Sequence, residues 1–179
     1  MPSPVAHFSM GACLWFFLKD RMGPAWQRTR LLRWTLFGLF LLFSILPDFD
    51  AVLGLIARDM HRFHNQQSHS IFFGLLASAV LAIGLHPFFP FVSRKKWFAV
   101  ICLSYQLHLL MDLFTRGRGL RLFWPFTSER IPAPLEFFTG LRWSHGLWSD
   151  AHWLTLANEL LFSAGLFFIC LLASRLRSR

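Results

Sequence analysis

IFFGLLASAVLAIGLHPFFPFV, residues 71–92, contains no Asp, Glu, Lys or Arg. A helix needs roughly 17–25 predominantly apolar residues, at about 1.5 Å each, to cross the hydrocarbon core of a bilayer. This run meets that length and has companions: 31–47 (LLRWTLFGLFLLFSILP), 97–115 (WFAVICLSYQLHLLMDLFT), 153–173 (WLTLANELLFSAGLFFICLLA) and a shorter one at 4–18 (PVAHFSMGACLWFFL). The chain has 179 residues, of which 55% are hydrophobic and only 15% charged. Soluble domains of this size carry about a quarter charged residues. The expected architecture is an all-α polytopic membrane helix bundle with about five transmembrane helices, roughly 4–18, 31–47, 70–92, 97–115 and 153–173. They form one membrane domain over 1–179, with 114–152 as an extracytoplasmic loop rich in Pro, Trp and Arg.

The first run lacks the order of a signal peptide, because no Lys or Arg precedes it and basic residues follow it. Ser3 and Pro4 instead predict an N-cap and first helical position. Cys13, Cys102 and Cys170 each fall within an apolar run. Their odd number suggests packing residues rather than disulfides or a thiolate metal site.

The formal charge of +9 has a pattern. Threading five helices puts 19–33, 91–96 and 174–179 on the side opposite the N terminus. These short segments hold Lys19, Arg21, Arg28, Arg30, Arg33, Arg94, Lys95, Lys96, Arg175, Arg177 and Arg179, eleven of the eighteen basic residues. Lys and Arg in short loops mark the cytoplasmic face. The N terminus is therefore expected outside a bacterial inner membrane and the C terminus in the cytoplasm. Topology accounts for most of the charge, so no nucleic-acid partner is expected.

The same threading gathers metal-binding residue types on the outer face. His7 lies near the start of the first helix, and Asp48 and Asp50 in LPDFD follow the second. Pro47 predicts that the chain leaves the helix in extended form at Leu46. His61, His64 and His69 precede the third helix, with Ser68 as its expected N-cap. His108 and Asp112 lie four apart near the end of the fourth, stacked on one helix face. Each has an ordinary alternative: a backbone-bonded helix end for His7, turn caps for Asp48 and Asp50, a metal-free His–Asp hydrogen bond for the last pair. Against these, ionisable residues inside membrane helices are costly and functional by default.

Imidazole and carboxylate without thiolate suit Zn²⁺ first, with Mn²⁺ or Fe²⁺ as alternatives. The surplus of ligands over one tetrahedral ion allows one to three ions. His7, Asp48, Asp50, His64, His69, His108 and Asp112 are the expected ligands. Asp50, His69 and Asp112 are expected at the chemistry, with a carboxylate bridging ions and a metal-activated water as nucleophile. His145, Asp150, His152 and Glu159 form a second group of candidate ligands or acid–base residues. Arg116, Arg118 and Arg121 could hold an anionic substrate, because guanidinium forks match phosphate oxygens. They could equally meet anionic lipid in general or cap the fourth helix.

His7, LPDFD at 46–50, HNQQSHS at 64–70, HLLMD at 108–112 and Trp124-Pro125 together resemble the YdjM family of membrane-bound metal-dependent hydrolases. These pieces lie within residues 1–126. The family's third element usually reads HRG-x-T-H-S, where this chain has Asn65-Gln66 in place of Arg-Gly. The order of ligands is more loosely similar to the zinc-dependent phospholipase C and single-strand nuclease fold. Both resemblances imply phosphoester hydrolysis. The expected activity is cleavage of a lipid or lipid-linked phosphoester at the outer face of the inner membrane. A non-catalytic alternative is a metal-stapled membrane assembly or stress protein.

Overall fold

A computed structural model describes residues 2–23, 27, 29–141, 149–150 and 152–177. It is all-helical: α1 (Pro4–Leu18), α2 (Arg30–Ser44), α3 (Asp50–Ala57), α4 (Met60–Phe63), α5 (Ile71–Leu85), α6 (Arg94–Leu113) and α7 (His152–Arg177). Among the described residues no β-strand occurs, only the isolated bridges Thr115↔Phe138 and Leu120↔Ile131. Each expected apolar run contains a helix, but several boundaries differ for local reasons. The 70–92 helix stops at Leu85, because Pro87 and Pro90 cannot donate to a helical ladder and 86–92 turns back instead. The 31–47 helix stops at Ser44, and Leu46–Phe49 forms a tight 3₁₀ turn, not the expected extended exit. Pro47 fits there because the first turn of a helix needs no amide hydrogen from it.

Ser3 caps α1 as expected, accepting from the Val5 amide. The cap of α5 is Ser70, which accepts from the Phe73 amide at 3.1 Å, not Ser68. By length and composition, His152–Leu176 can cross a membrane. A second crossing exists if Arg30–Ser44 and Leu46–Ala57, bent by 72° at their junction, act as one. α1, α2 and α5 have fifteen residues each, or roughly 22 Å, short of an average bilayer core of about 30 Å.

The helices pack by size. In α5, Gly74, Ser78 and Ala82 are buried at four-residue spacing, whereas the larger Leu76, Val80 and Ile83 are exposed. That is the reverse of a soluble amphipathic helix and matches packing in lipid, where small residues let backbones approach closely. A Cβ added at Gly74 would stand 2.5 Å from the Tyr105 ring of α6. Gly11 brings α1 against α2 in the same way, with a Cβ there 2.8 Å from Ser44 Oγ. Leu14, Leu36, Phe40, Phe43, Trp97 and Ile101 fill the layer between these contacts. α7 rests on α1 and leaves most of its surface exposed.

Gly74→Leu is expected to weaken the α5–α6 contact by roughly 1–3 kcal/mol or more. Val80→Ala, on the outward face, should stay within about 0.5 kcal/mol. Thermal unfolding of both variants in detergent checks the contrast.

Candidate metal centre

Asp48 enters the site from the 3₁₀ turn after α2, where its amide donates to the Ile45 carbonyl at 3.0 Å. His69 comes from a second 3₁₀ turn, Gln67–His69, immediately before α5. His108 and Asp112 project from one face of α6. These four residues place one ligand atom each within 4.8 Å of one another. His69 Nε2 lies 3.4 Å from Asp48 Oδ1 and 3.3 Å from Asp112 Oδ2. His108 Nε2 lies 3.4 Å and 3.6 Å from the same two oxygens.

Bonds of about 2.0–2.2 Å to a tetrahedral ion set donor–donor edges of roughly 3.3–3.6 Å. Four of the cluster's six edges therefore have the length a tetrahedral ion requires. The donors also fit electronically, since His69 Nε2, His108 Nε2, Asp48 Oδ1 and both Asp112 oxygens are buried without a hydrogen-bond partner. Buried polar atoms rarely lack partners. A shared cation would satisfy one donor atom of each of the four residues.

The surroundings aim the ligands. His108 Nδ1 is 2.8 Å from the Ser44 carbonyl oxygen, which only accepts. Nδ1 therefore carries the hydrogen and Nε2 presents its lone pair to the cluster. His69 Nδ1 likewise faces Ser68 Oγ at 3.0 Å and Asp50 Oδ2 at 3.3 Å. Asp50 also receives Asn65 N at 3.0 Å and the Ser68 hydroxyl, and its other oxygen is 2.5 Å from His64 Nδ1. The structure thus places Asp50 and His64 beside the four-donor set, where Asp50 orients His69 as carboxylates commonly orient metal-bound imidazoles. The Tyr105 hydroxyl donates to the Ser68 carbonyl and steadies this turn.

His7, from α1, stacks on His108 with ring centroids 3.8 Å apart. Its Nε2 is 3.5 Å from Asp112 Oδ1, the oxygen turned away from His69 and His108. Asp112 thus presents one oxygen to the four-donor set and the other to His7.

Burial disfavours a charged His69, but the carboxylates of Asp112, Asp48 and Asp50 around it outweigh that cost and hold its pKa well above the ordinary value. A proton therefore competes with a cation for His69.

Other expected residues lie elsewhere. Glu159 accepts from the Ser3 amide at 2.6 Å and from the Ser3 hydroxyl, so it anchors the start of α1 to α7. Asp150 and His152 line a separate cavity of about 380 Å³ with Ser3 and Trp153. Among the described residues none of these three joins a ligand cluster. His145 and the His61 side chain fall outside the described residues. Arg116 faces Glu136 at 3.8 Å, exposed. Arg118 donates to the His64 carbonyl. Arg130, overlooked in the sequence because no motif contains it, donates to Asn65 O at 3.1 Å and Gln66 Oε1 at 3.2 Å.

The His/Asp centre and the inner-membrane pattern coincide with a family match across nearly the whole chain. The chain belongs to the YdjM inner membrane protein family. The family model matches residues 1–178, so membership extends well past the motif-bearing segment 1–126 and includes α7. No curated protein and no solved structure matches the chain. Within this YdjM chain, Asn65 has φ 58°, a left-handed conformation that asparagine tolerates. Arg130, from outside the turn, brings a guanidinium to its Asn65 carbonyl.

His108→Ala and Asp112→Ala should each abolish tight metal binding, read as metal per chain after supply and desalting. Asp50→Asn should keep the stoichiometry and weaken affinity about 10–100-fold. Proton and cation compete for His69, whose folded pKa is raised. In metal-free protein its stabilising contribution is full below pH of about 6.5 and is lost as pH rises through the folded pKa. Metal affinity should accordingly increase with pH across that window and release protons, measurable by calorimetry in buffers of different ionisation enthalpy.

Proposed function

We propose that the protein is a membrane-bound metal-dependent hydrolase of a lipid or lipid-linked phosphoester. The observation that carries this reading is the setting of Asp48. Its side chain is 17% exposed, whereas His69, His108 and Asp112 are fully buried. Asp48 and His64 open on a cavity of about 220 Å³ otherwise walled by Pro2, Pro4, Ile45, Phe49, Ala51, Val52 and Leu141. An apolar cavity that also reaches Asp48 and His64 suits an amphiphile whose head approaches the metal and whose chain lies along the wall.

A divalent ion, Zn²⁺ foremost, would polarise a phosphoryl oxygen and bring the pKa of a water toward neutrality. The chain's own residues supply the rest. Asp48, His69, His108 and Asp112 hold the ion; Asp50 fixes the His69 ring; the cavity wall excludes bulk water. His7 and the outward Asp112 oxygen offer a place for a second ion.

The second reading is a metal staple. Four protein ligands are the number that fills a structural site, whereas catalytic sites keep a position open. The ligands join the α2–α3 turn, the turn before α5, and α6, which a bound ion would lock together.

The charge pattern supports a five-span topology with the site on the outer face, N terminus outside and C terminus cytoplasmic. The bent α2–α3 pair would enter the membrane surface from that side. A reporter fused after Arg179 is expected to read cytoplasmic; a periplasmic signal would place the metal centre on the other face.

Val52→Trp should fill the cavity and cut turnover of a lipid phosphoester at least tenfold, with metal content unchanged. Phosphate release from detergent-solubilised phospholipids and polyprenyl phosphates measures this. A folded, metal-loaded wild type that cleaves none of them would favour the staple.

A further inference from the structure

The 114–141 loop folds back on itself at one antiparallel bridge. Leu120 N donates to Ile131 O at 3.0 Å, and Ile131 N to Leu120 O at 2.8 Å. Gly119 enters the bridge at φ +76°, and a Cβ there would stand 2.5 Å from the Ile131 carbonyl oxygen. Only glycine fits, so the close pairing is built into the sequence. One residue beyond this isolated bridge on each arm stand Arg121 and Arg130. Arg118, one step before Gly119, adds a third positive charge.

These charges bear on one another. Burial, then Arg118 and Arg121, pull the pKa of Arg130 down to about 10. Burial and then Arg121 lower Arg118, with the Asp50 carboxylate opposing. Both guanidiniums donate to neutral oxygens: Arg130 to Gly119 O at 2.8 Å, Asn65 O and Gln66 Oε1, and Arg118 to His64 O. Arg121 Nε is buried without a hydrogen-bond partner. An anionic phosphate among the three would relieve their repulsion and satisfy that donor.

The neighbouring side chains indicate what carries the anion. Phe123 is 47% and Phe126 76% exposed, and Phe126 packs edge-on against Phe72 at the first turn of α5, with centroids 4.6 Å apart. Exposed aromatic rings beside arginines at the end of an apolar helix match the boundary between acyl chains and headgroups.

We propose that Arg118, Arg121 and Arg130 bind the phosphate of an anionic phospholipid headgroup, with Phe123 and Phe126 among its acyl chains. Guanidinium forks match phosphate oxygens in geometry as well as charge. Arg118 and Arg130 also hold the carbonyls of His64 and Asn65, so the headgroup would brace the turn that carries His69. The site does not depend on hydrolysis, because a metal staple would bind the same lipid.

The test uses the full-length protein in a non-ionic detergent and reads binding, not turnover. Dioctanoyl phosphatidylglycerol, dioctanoyl phosphatidylcholine and inorganic phosphate are titrated separately and in competition. Wild type is expected to bind phosphatidylglycerol at least tenfold more tightly than phosphatidylcholine, with inorganic phosphate displacing it only in large excess. Arg121→Gln, which removes a guanidinium whose Nε bonds nothing in the protein, should cut that preference about fivefold. The double variant Arg121→Gln/Arg130→Gln should erase it, with metal content and melting temperature checking its fold. Should the double variant misfold, Arg121→Gln by itself decides the matter. No preference in wild type, or an undiminished preference in Arg121→Gln, overturns the proposal. Phosphate binding as tightly as the lipid would also overturn it, in favour of a soluble anion. Absence of hydrolysis in the phosphoester assay leaves this result untouched, and the reverse holds too.

Discussion

Two carboxylates and two imidazoles, three of them fully buried, meet where α2, α5 and α6 converge. Taking such groups out of water costs several kcal/mol per ion unless they face one another or a cation. That constraint organises the surrounding chain. Asp48 is delivered by a 3₁₀ turn that bends the path by 72°. His69 is delivered by a turn pinned through Asp50, Ser68 and Tyr105. The Ser44 carbonyl, freed at the end of α2, sets the His108 ring. Chain ends that would otherwise be orphaned thereby serve the site.

Close helix approach makes the convergence possible. Gly74 lets α5 lie against Tyr105, the same residue whose hydroxyl reaches the His69 turn. Gly11 lets α1 lie against Ser44, whose carbonyl faces His108, and one turn earlier α1 carries His7 to that ring. Glu159, bonded to Ser3, holds the same end of α1 from α7. Helix packing and ligand placement are therefore one problem in this chain. Moving α1 along its axis would separate His7 from Asp112.

The 114–141 loop does more than lead the chain away from α6. Its arginines reach the His64–Gln66 turn, at the His64 and Asn65 carbonyls and the Gln66 side chain. Asn65 tolerates the left-handed backbone of that turn, and Arg130 brings positive charge to it from 65 residues away.

Much of this was legible in the residues. Apolar runs located α1, α2, α5, α6 and α7, because burying or lipid-facing a helix needs a length of side chains that composition reveals. Their ends were less legible, since Pro87 and Pro47 act through local backbone geometry: one closes α5, the other opens a tight turn. The seven expected ligands, His7, Asp48, Asp50, His64, His69, His108 and Asp112, came from the scarcity of ionisable groups in apolar surroundings, and the fold gathers four of them, Asp48, His69, His108 and Asp112, into one cluster. Sequence alone could not rank Asp48 against Asp50, two residues apart and chemically identical. The turn decided that, pointing one carboxylate at the cluster and the other at the back of His69. Nor could it pair Glu159 with Ser3 or Arg130 with Asn65. Those contacts join residues 156 and 65 positions apart, and only the packed chain sets which distant groups face each other.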